Sequence, residues 1–364
     1  MRHRNTLKVG ICVMMAVLAV ETSQSSEKTA LNSNRYMEAY KQYSDAQAPL
    51  PKDKIKHFVF ISRYQLKNHV FLKNSRIAGA QILYPWTQLE TDRSQYNFKN
   101  IRDDLHYLLS KGKKLFIQLQ DTTFHPKWKA VPDYMQTPEF DGGQFAKQNH
   151  KGLPSGWIAK RWNPIVQKRF ALLLQALAEE FDGHPSFEGI NLPETAAEGL
   201  DSQRDPTFTP EVYAKGIKAN MLAMKKAFRK SVTMQYANFM PGEWLPWEDK
   251  GYLRAIYQHG EKIGVGLGGP DLMPKRKAQL NHALALMHEG SFTVPLGVAV
   301  QRGNYIGMTG ADVDPGESIT KDGESKDTNI PLLHAFAKHF LNVQYIFWQN
   351  EEPYFSNVFL TILQ

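Results

Sequence analysis

Eight short apolar runs recur along this chain, and helix-patterned stretches lie between them. The runs are Lys56–Ser62, Ile77–Pro85, Lys114–Gln120, Phe187–Leu192, Val232–Asn238, Ile263–Gly268, Val294–Gln301 and Val343–Gln349. Segments this short, apolar without strict alternation, suit strands buried on both faces. The stretches between them carry helical faces. Ile101, Leu105, Leu108 and Leu109 form one. Val166, Phe170, Leu173, Leu174, Leu177 and Phe181 form another, and Tyr213, Ile217, Met221, Met224 and Phe228 a third. Leu280, Leu284 and Met287, then Leu333, Phe336, Ala337 and Phe340, complete the set. Thr209-Pro210-Glu211 opens the third face with a cap, a first-turn proline and a dipole-compatible acid. Eight strands alternating with helices predict an α/β protein of the (β/α)8 TIM barrel class.

An open doubly wound sheet would usually carry a glycine-rich phosphate loop after its first strand. Ser62-Arg-Tyr-Gln-Leu66 offers none, and Gly264-Val-Gly-Leu-Gly-Gly-Pro270 is followed by Pro270 and Pro274 where a helix would have to start. That turn reads as a tight strand exit, not a nucleotide site.

The expected organisation is a leader at 1–20, a polar linker at 21–52 with one short helix around Tyr36 to Tyr43, and a single barrel domain at 53–364. Arg2, Arg4 and Lys8 precede the apolar run Val9 to Val20, after which Glu21-Thr-Ser-Gln-Ser-Ser follows. This is the order of a secretory signal peptide, and the run is short against the roughly 20 residues a membrane span needs. A retained signal anchor is the alternative. Removal of the leader takes Cys12, the single cysteine, with it. A periplasmic or secreted protein without disulfides, and with no stable membrane span, is therefore expected.

Of the cations behind the net charge of +8, the leader supplies three, and others gather at Lys111, Lys113 and Lys114, at Lys225, Lys226, Arg229 and Lys230, and at Lys275, Arg276 and Lys277. The first two groups fall at helix C-termini, where the backbone dipole favours cations, and no nucleic-acid motif accompanies them. No nucleic-acid partner is expected. The twelve histidines show no metal-ligand spacing, and Asp312-Val-Asp314-Pro-Gly316-Glu317 begins like a calcium loop without the later ligands. Neither a metal nor another cofactor is expected. The chain also lacks a serine-nucleophile elbow.

Function should lie at the C-terminal ends of the strands. Two long connections leave from there: Asp121 to Asn163 after the third strand, rich in aromatics, and Arg302 to Ile330 after the seventh, rich in Gly, Asp and Ser. Long ordered loops are usually functional. Strand ends also gather aromatic rings with amides and acids: Trp86 and Glu90, Tyr236 and Asn238, Gln301 and Tyr305, Trp348 and Glu351. Rings stack on the apolar faces of sugars while amides and carboxylates bind hydroxyls. Trp86, Trp128, Asn191, Tyr236, Asn238, Gln301, Tyr305 and Trp348 are the expected substrate-binding residues, and the expected partner is an oligo- or polysaccharide.

Trp86-Thr-Gln-Leu-Glu90, then Tyr96-Asn-Phe98, then Lys111-Gly112-Lys-Lys-Leu-Phe-Ile-Gln-Leu119, resembles the early barrel of clan A glycoside hydrolases, especially the beta-galactosidase-like members. The run from Trp162-Asn-Pro to Glu194-Thr195 is similar to their third helix and fourth strand, and Trp348 to the aromatic closing their eighth. The resemblance implies a glycosidase whose proton donor is Glu194. In that clan an Asn precedes the donor, and here Pro193 stands there, with Asn191 three positions before Glu194. The clan's nucleophile position is occupied by Gln301, and an amide cannot form the glycosyl ester of a retaining mechanism. The second carboxylate is then sought in Glu351, the first choice, or in Glu352, Asp271 or Asp121. The alternatives are a different alignment of the seventh strand and a barrel that binds saccharide without catalysis. A third possibility is a protein partner in envelope assembly that uses the basic surface.

Overall fold

The computed structural model describes residues 35–306, 329–352, 354, 355 and 363. The expected leader, linker residues 21–34, Asp312–Glu317 and most of the loop after the seventh strand lie outside the described residues.

The barrel strands are β1 (Lys56–Phe60), β2 (Ile77–Pro85), β3 (Lys114–Gln120), β4 (Phe187–Leu192), β5 (Val232–Tyr236), β6 (Gly266–Gly269), β7 (Leu296–Val300) and β8 (Tyr345–Gln349). They close in sequence order, β1 pairing with both β2 and β8, and every pairing is parallel. The chain is a (β/α)8 barrel. β2, β3 and β4 have the bounds expected from sequence. The predicted ends Asn238 and Gln301 instead lie beyond the sheet, in the loops that follow β5 and β7.

Alternation along the strands sorts two cores. Phe58, Phe116, Met234, Tyr236, Ala299, Tyr345 and Phe347 fill the barrel interior, while Val59, Ile82, Ile117 and their neighbours face the helices. So many rings fit because β6 and β7 contribute glycine. A Cβ on Gly268 would lie 2.2 Å from the Gly297 carbonyl oxygen, and one on Gly297 would lie 2.8 Å from the Met234 methyl carbon. The floor of the barrel is polar. Glu188 of β4 receives Lys56 Nζ at 2.5 Å, Lys114 Nζ at 2.9 Å and the Tyr345 hydroxyl at 2.8 Å.

The principal helices are α1 (Lys99–Ser110), α2 (Pro164–Phe181), α3 (Pro210–Ala227), α4 (Tyr252–Ile263), α5 (Lys277–Asn281), α6 (Ala283–Glu289) and α7 (Asn329–Ala335). Asn163 caps α2 by accepting from the Ile165 and Val166 N–H groups, and Thr209 caps α3 through Val212 N–H. The single helix expected over Leu280 to Met287 is two, because the backbone breaks at His282. A second correction concerns the linker. Ala39 and Leu50 are buried, Tyr36, Tyr40 and Tyr43 pack on the core, and Tyr36 donates to Glu289 at 2.8 Å. Residues 35–52 therefore belong to the barrel's packing, with a short 3-10 helix at Ala39–Tyr43.

Candidate active site

The second residue beyond the end of three consecutive strands carries a polar side chain: Glu194 after β4, Asn238 after β5 and Asp271 after β6. Parallel strands in register bring these together at the C-terminal mouth. Asn238 Nδ2 donates to Glu194 Oε2 at 2.6 Å. The orientation of that amide is fixed by its other end, because Oδ1 accepts from Phe239 N–H at 2.9 Å and Ala196 N–H at 3.2 Å. Asp271 accepts from Asn304 Nδ2 at 3.0 Å, and Asn304 Oδ1 accepts from Leu272 and Gln301 N–H groups, tying the exits of β6 and β7 together.

Glu194 retains contact with solvent while most of its surroundings are protein. Burial raises its pKa above the ordinary carboxylate value. The Asn238 hydrogen bond opposes this, the nearby Asp271 charge reinforces it, and Lys147 and Arg161 oppose it. A carboxyl held toward its neutral form beside a second carboxylate is the arrangement a general acid requires.

The backbone beneath Glu194 is pinned by a buried cation. Arg161 donates to Asp121 through Nε at 2.8 Å and Nη2 at 2.6 Å, and through Nη1 to the Glu194 carbonyl at 2.8 Å and the Tyr213 hydroxyl at 3.0 Å. Tyr213 in turn donates to the Thr195 carbonyl at 2.9 Å, and Gln235 Nε2 to the Pro193 carbonyl at 2.7 Å. Three successive carbonyls around the candidate acid are thus held by side chains from three other elements. Arg161, Tyr213 and Lys147 carry no motif that would mark them in the sequence. Only the fold gathers them.

The expected second carboxylate, Glu351, is paired with Arg302 Nε at 3.0 Å, and Asp121 is committed to Arg161. Asp271 is the acid whose charge acts on Glu194. The expected sugar-binding residues also divide. Trp86 is fully buried on the outer side of the barrel, its indole donating to Glu90 and its ring against Phe170 of α2. Trp348 is fully buried too, donating to His57 Nδ1 at 3.0 Å. Asn191 and Tyr236 both meet Gln81 inside the barrel, at 2.9 and 3.1 Å, with no surface exposed. Tyr305 is buried, donating to the Gln349 carbonyl. These five side chains are buried in the protein's packing rather than presented at the mouth. Asn238 is at the mouth, bonded to Glu194. Gln301 is half-buried, donating to the Pro270 carbonyl at 2.9 Å. Trp128 is 67% exposed on the long loop, against His125.

A second cluster lies beside the N-terminal end of β1, where Asp53 and His57 line a cavity of about 210 Å³. Asp53, His57 and His334 bring a carboxylate oxygen and two imidazole nitrogens within 4.8 Å of one another. The indole N–H of Trp348 points at His57 Nδ1, so the neutral ring carries its proton on Nε2. A metal-bound histidine normally donates from its second nitrogen, and here that nitrogen faces a donor. The geometry suits neutral buried histidines better than a metal.

No protein-family model matches the sequence, and no curated protein matches it. Among solved structures, the chain is similar to the catalytic domain of a beta-amylase from Paenibacillus polymyxa, at 9% identity and a TM-score of 0.54. That match covers 81% of this chain and 92% of the other. It is also similar to endo-glycoceramidase II from Rhodococcus sp., at 11% identity and a TM-score of 0.49, covering 87% and 81%. A GH5_18 protein from Bifidobacterium longum subsp. infantis follows at 13% identity and a TM-score of 0.48, covering 80% and 69%. At these identities the beta-amylase likeness establishes the barrel fold, which the strand order gives independently.

Proposed function

We propose that this protein is a glycoside hydrolase acting on an oligo- or polysaccharide, with Glu194 as general acid and Asp271 as the second carboxylate. The observation that carries the reading is the placement of Glu194: at the catalytic mouth, in contact with solvent, oriented by Asn238, and shifted toward its neutral form by burial and by Asp271. Glycoside hydrolysis needs such a pair, one carboxyl to protonate the leaving oxygen and one to act from the other side of the sugar ring. The early-barrel motifs extend the proposal to the beta-galactosidase-like branch of clan A, and the N-terminal leader pattern supports export.

The test is reducing-end release from a panel of polysaccharides, with Glu194→Gln and Asp271→Asn beside the native chain. A general acid contributes about 10²–10⁴ in rate, so Glu194→Gln should lose at least that much while still binding. Product stereochemistry by NMR then assigns Asp271 as base or nucleophile. Turnover that survives both substitutions would end the proposal.

A second reading, a saccharide-binding barrel without turnover, is favoured by Gln301. Its amide stands where a carboxylate is expected and is used on Pro270. Saturable binding with no product from any sugar would select it.

A further inference from the structure

Three lysines are buried among the described residues. Lys113 donates to two carbonyl oxygens, of Asn74 and Ile77, each at 2.6 Å. Lys160 has two carboxylates, Asp141 at 2.6 Å and Asp205 at 2.8 Å. Lys147 is only 5% exposed, yet among the described residues no carboxylate lies within 4 Å of its ammonium and no acceptor takes a hydrogen bond from it. Its Nζ rests 4.0 Å over the ring of Phe124, which is itself 64% exposed. An enclosed ammonium ordinarily needs acceptors.

Lys147 is held there by the hairpin Gln144–Gln148 and Pro154–Ala159, which covers one side of the mouth. It stands opposite Gly156, where a Cβ would lie 2.1 Å from the Thr123 carbonyl oxygen, so the hairpin presses directly on the chain leaving β3. Arg204, from the loop after β4, fastens the other side by donating to the Ala146 carbonyl at 2.7 Å. The charges facing Lys147 are Glu194, Glu198 and Asp121, which attract it, and Arg161, which repels it. Asp121 is occupied by Arg161 and Glu194 by Asn238.

Resting on the glycosidase reading above, we infer that the saccharide bound beside Glu194 carries a carboxylate, as in a uronic acid, and that Lys147 is the residue that receives it. An ammonium is a compact point charge that one sugar carboxylate satisfies. The exposed Phe124 ring beneath it offers a stacking face. Burial lowers the Lys147 pKa to about 8, which leaves it mainly charged at neutral pH. The neighbouring Glu194, shifted toward neutrality, tolerates an anionic sugar that an ionised acid would repel.

The test is calorimetric binding in a Glu194→Gln chain, which prevents turnover. The ligands are hexamers of galacturonate, mannuronate and glucuronate, with hexamers of the corresponding neutral sugars. At least one uronate should bind more tightly than its neutral counterpart by about tenfold or more, the size of a charged hydrogen bond. Adding Lys147→Met should abolish that preference, Lys147→Arg should retain it, and it should decline as pH rises through about 8. Neutral hexamers bound as well as uronates, or a preference that survives Lys147→Met in a chain with an unchanged melting profile, would overturn the inference and leave the glycosidase reading standing. Binding of no hexamer at all would remove both.

Discussion

Asn238 and Glu194 meet at 2.6 Å across the ends of neighbouring strands, and the direction of their hydrogen bond is settled by the backbone. Two N–H groups occupy the Asn238 oxygen, so its nitrogen must face the carboxylate. That donation favours the ionised form and partly offsets the effect of burial. Asn238→Ala should therefore raise the Glu194 pKa further. Under the proposed mechanism the alkaline limb of the pH–rate profile moves up while the maximal rate falls, and pH-dependent kinetics on a hydrolysed substrate check it.

A carboxyl whose folded-state pKa is raised contributes stability at low pH that is lost as pH rises through the folded value. Glu194 is such a group. Glu194→Gln should match the native chain in stability near pH 4 and exceed it at pH 8. Urea midpoints at the two pH values measure the difference. The gain in stability with loss of turnover is the usual signature of an active-site group.

Arg161 is buried with Asp121, and its remaining donors reach Tyr213 and the Glu194 backbone. Removing one member of a buried pair leaves the other uncompensated and costs about 3–5 kcal/mol. Arg161→Met should lower the urea midpoint accordingly and should also loosen Glu194, so that any turnover falls even in the folded fraction. Asp121→Asn should show the same two effects, more weakly.

Burial depresses the pKa of two histidines at opposite ends of the barrel. His57 is lowered to about 3 and His282 to about 4. His282 accepts from Leu245 N–H through Nε2 and donates through Nδ1 to the Ala278 carbonyl, so protonation breaks a contact at the mouth loop. Groups depressed in the fold favour it fully above the unfolded value of 6.5, and that contribution fades as pH falls toward 4 and then 3. Stability should thus decline below pH 6.5. His57→Asn keeps an acceptor for Trp348 while removing the titration, and should make the decline shallower in denaturation curves between pH 7 and 4.

Glu188 closes the other end of the barrel. Burial would raise its pKa, but hydrogen bonds from Lys56, Lys114 and Tyr345 hold it below the usual range. Glu188→Gln should cost about 2 kcal/mol, typical of hydrogen bonds to a charged group, and leave the saccharide binding proposed for the far mouth intact. Thermal denaturation with a binding control tests both halves.

The eight strands were legible because a strand buried on both faces has to be apolar, short and bounded by turn chemistry. Ile77–Pro85, Lys114–Gln120 and Phe187–Leu192 carry that signal through their whole length. The position of Glu194 was also legible, since the exit of the fourth strand must open at the mouth. Residue type misled where direction mattered. Trp86 and Trp348 sit near strand ends as sugar-stacking rings would, but Trp348 lies on the outward side of the pleat and Trp86, in the short helical turn after β2, packs against Phe170, so both join the outer core. The pairing of Glu351 with Arg302 was not legible, because it forms only when the eighth strand returns beside the seventh.

Local composition and periodicity settled the barrel, its strand order and the end at which the proposed site lies, because these follow from which segments must leave water. Tertiary structure alone decided that the Asp271 charge acts on Glu194, that Arg161 holds the Glu194 backbone, and that Lys147 is buried with no carboxylate within 4 Å among the described residues. Those relations join residues 33 to 77 positions apart, and no pattern within a strand or helix records a distance that only ring closure creates.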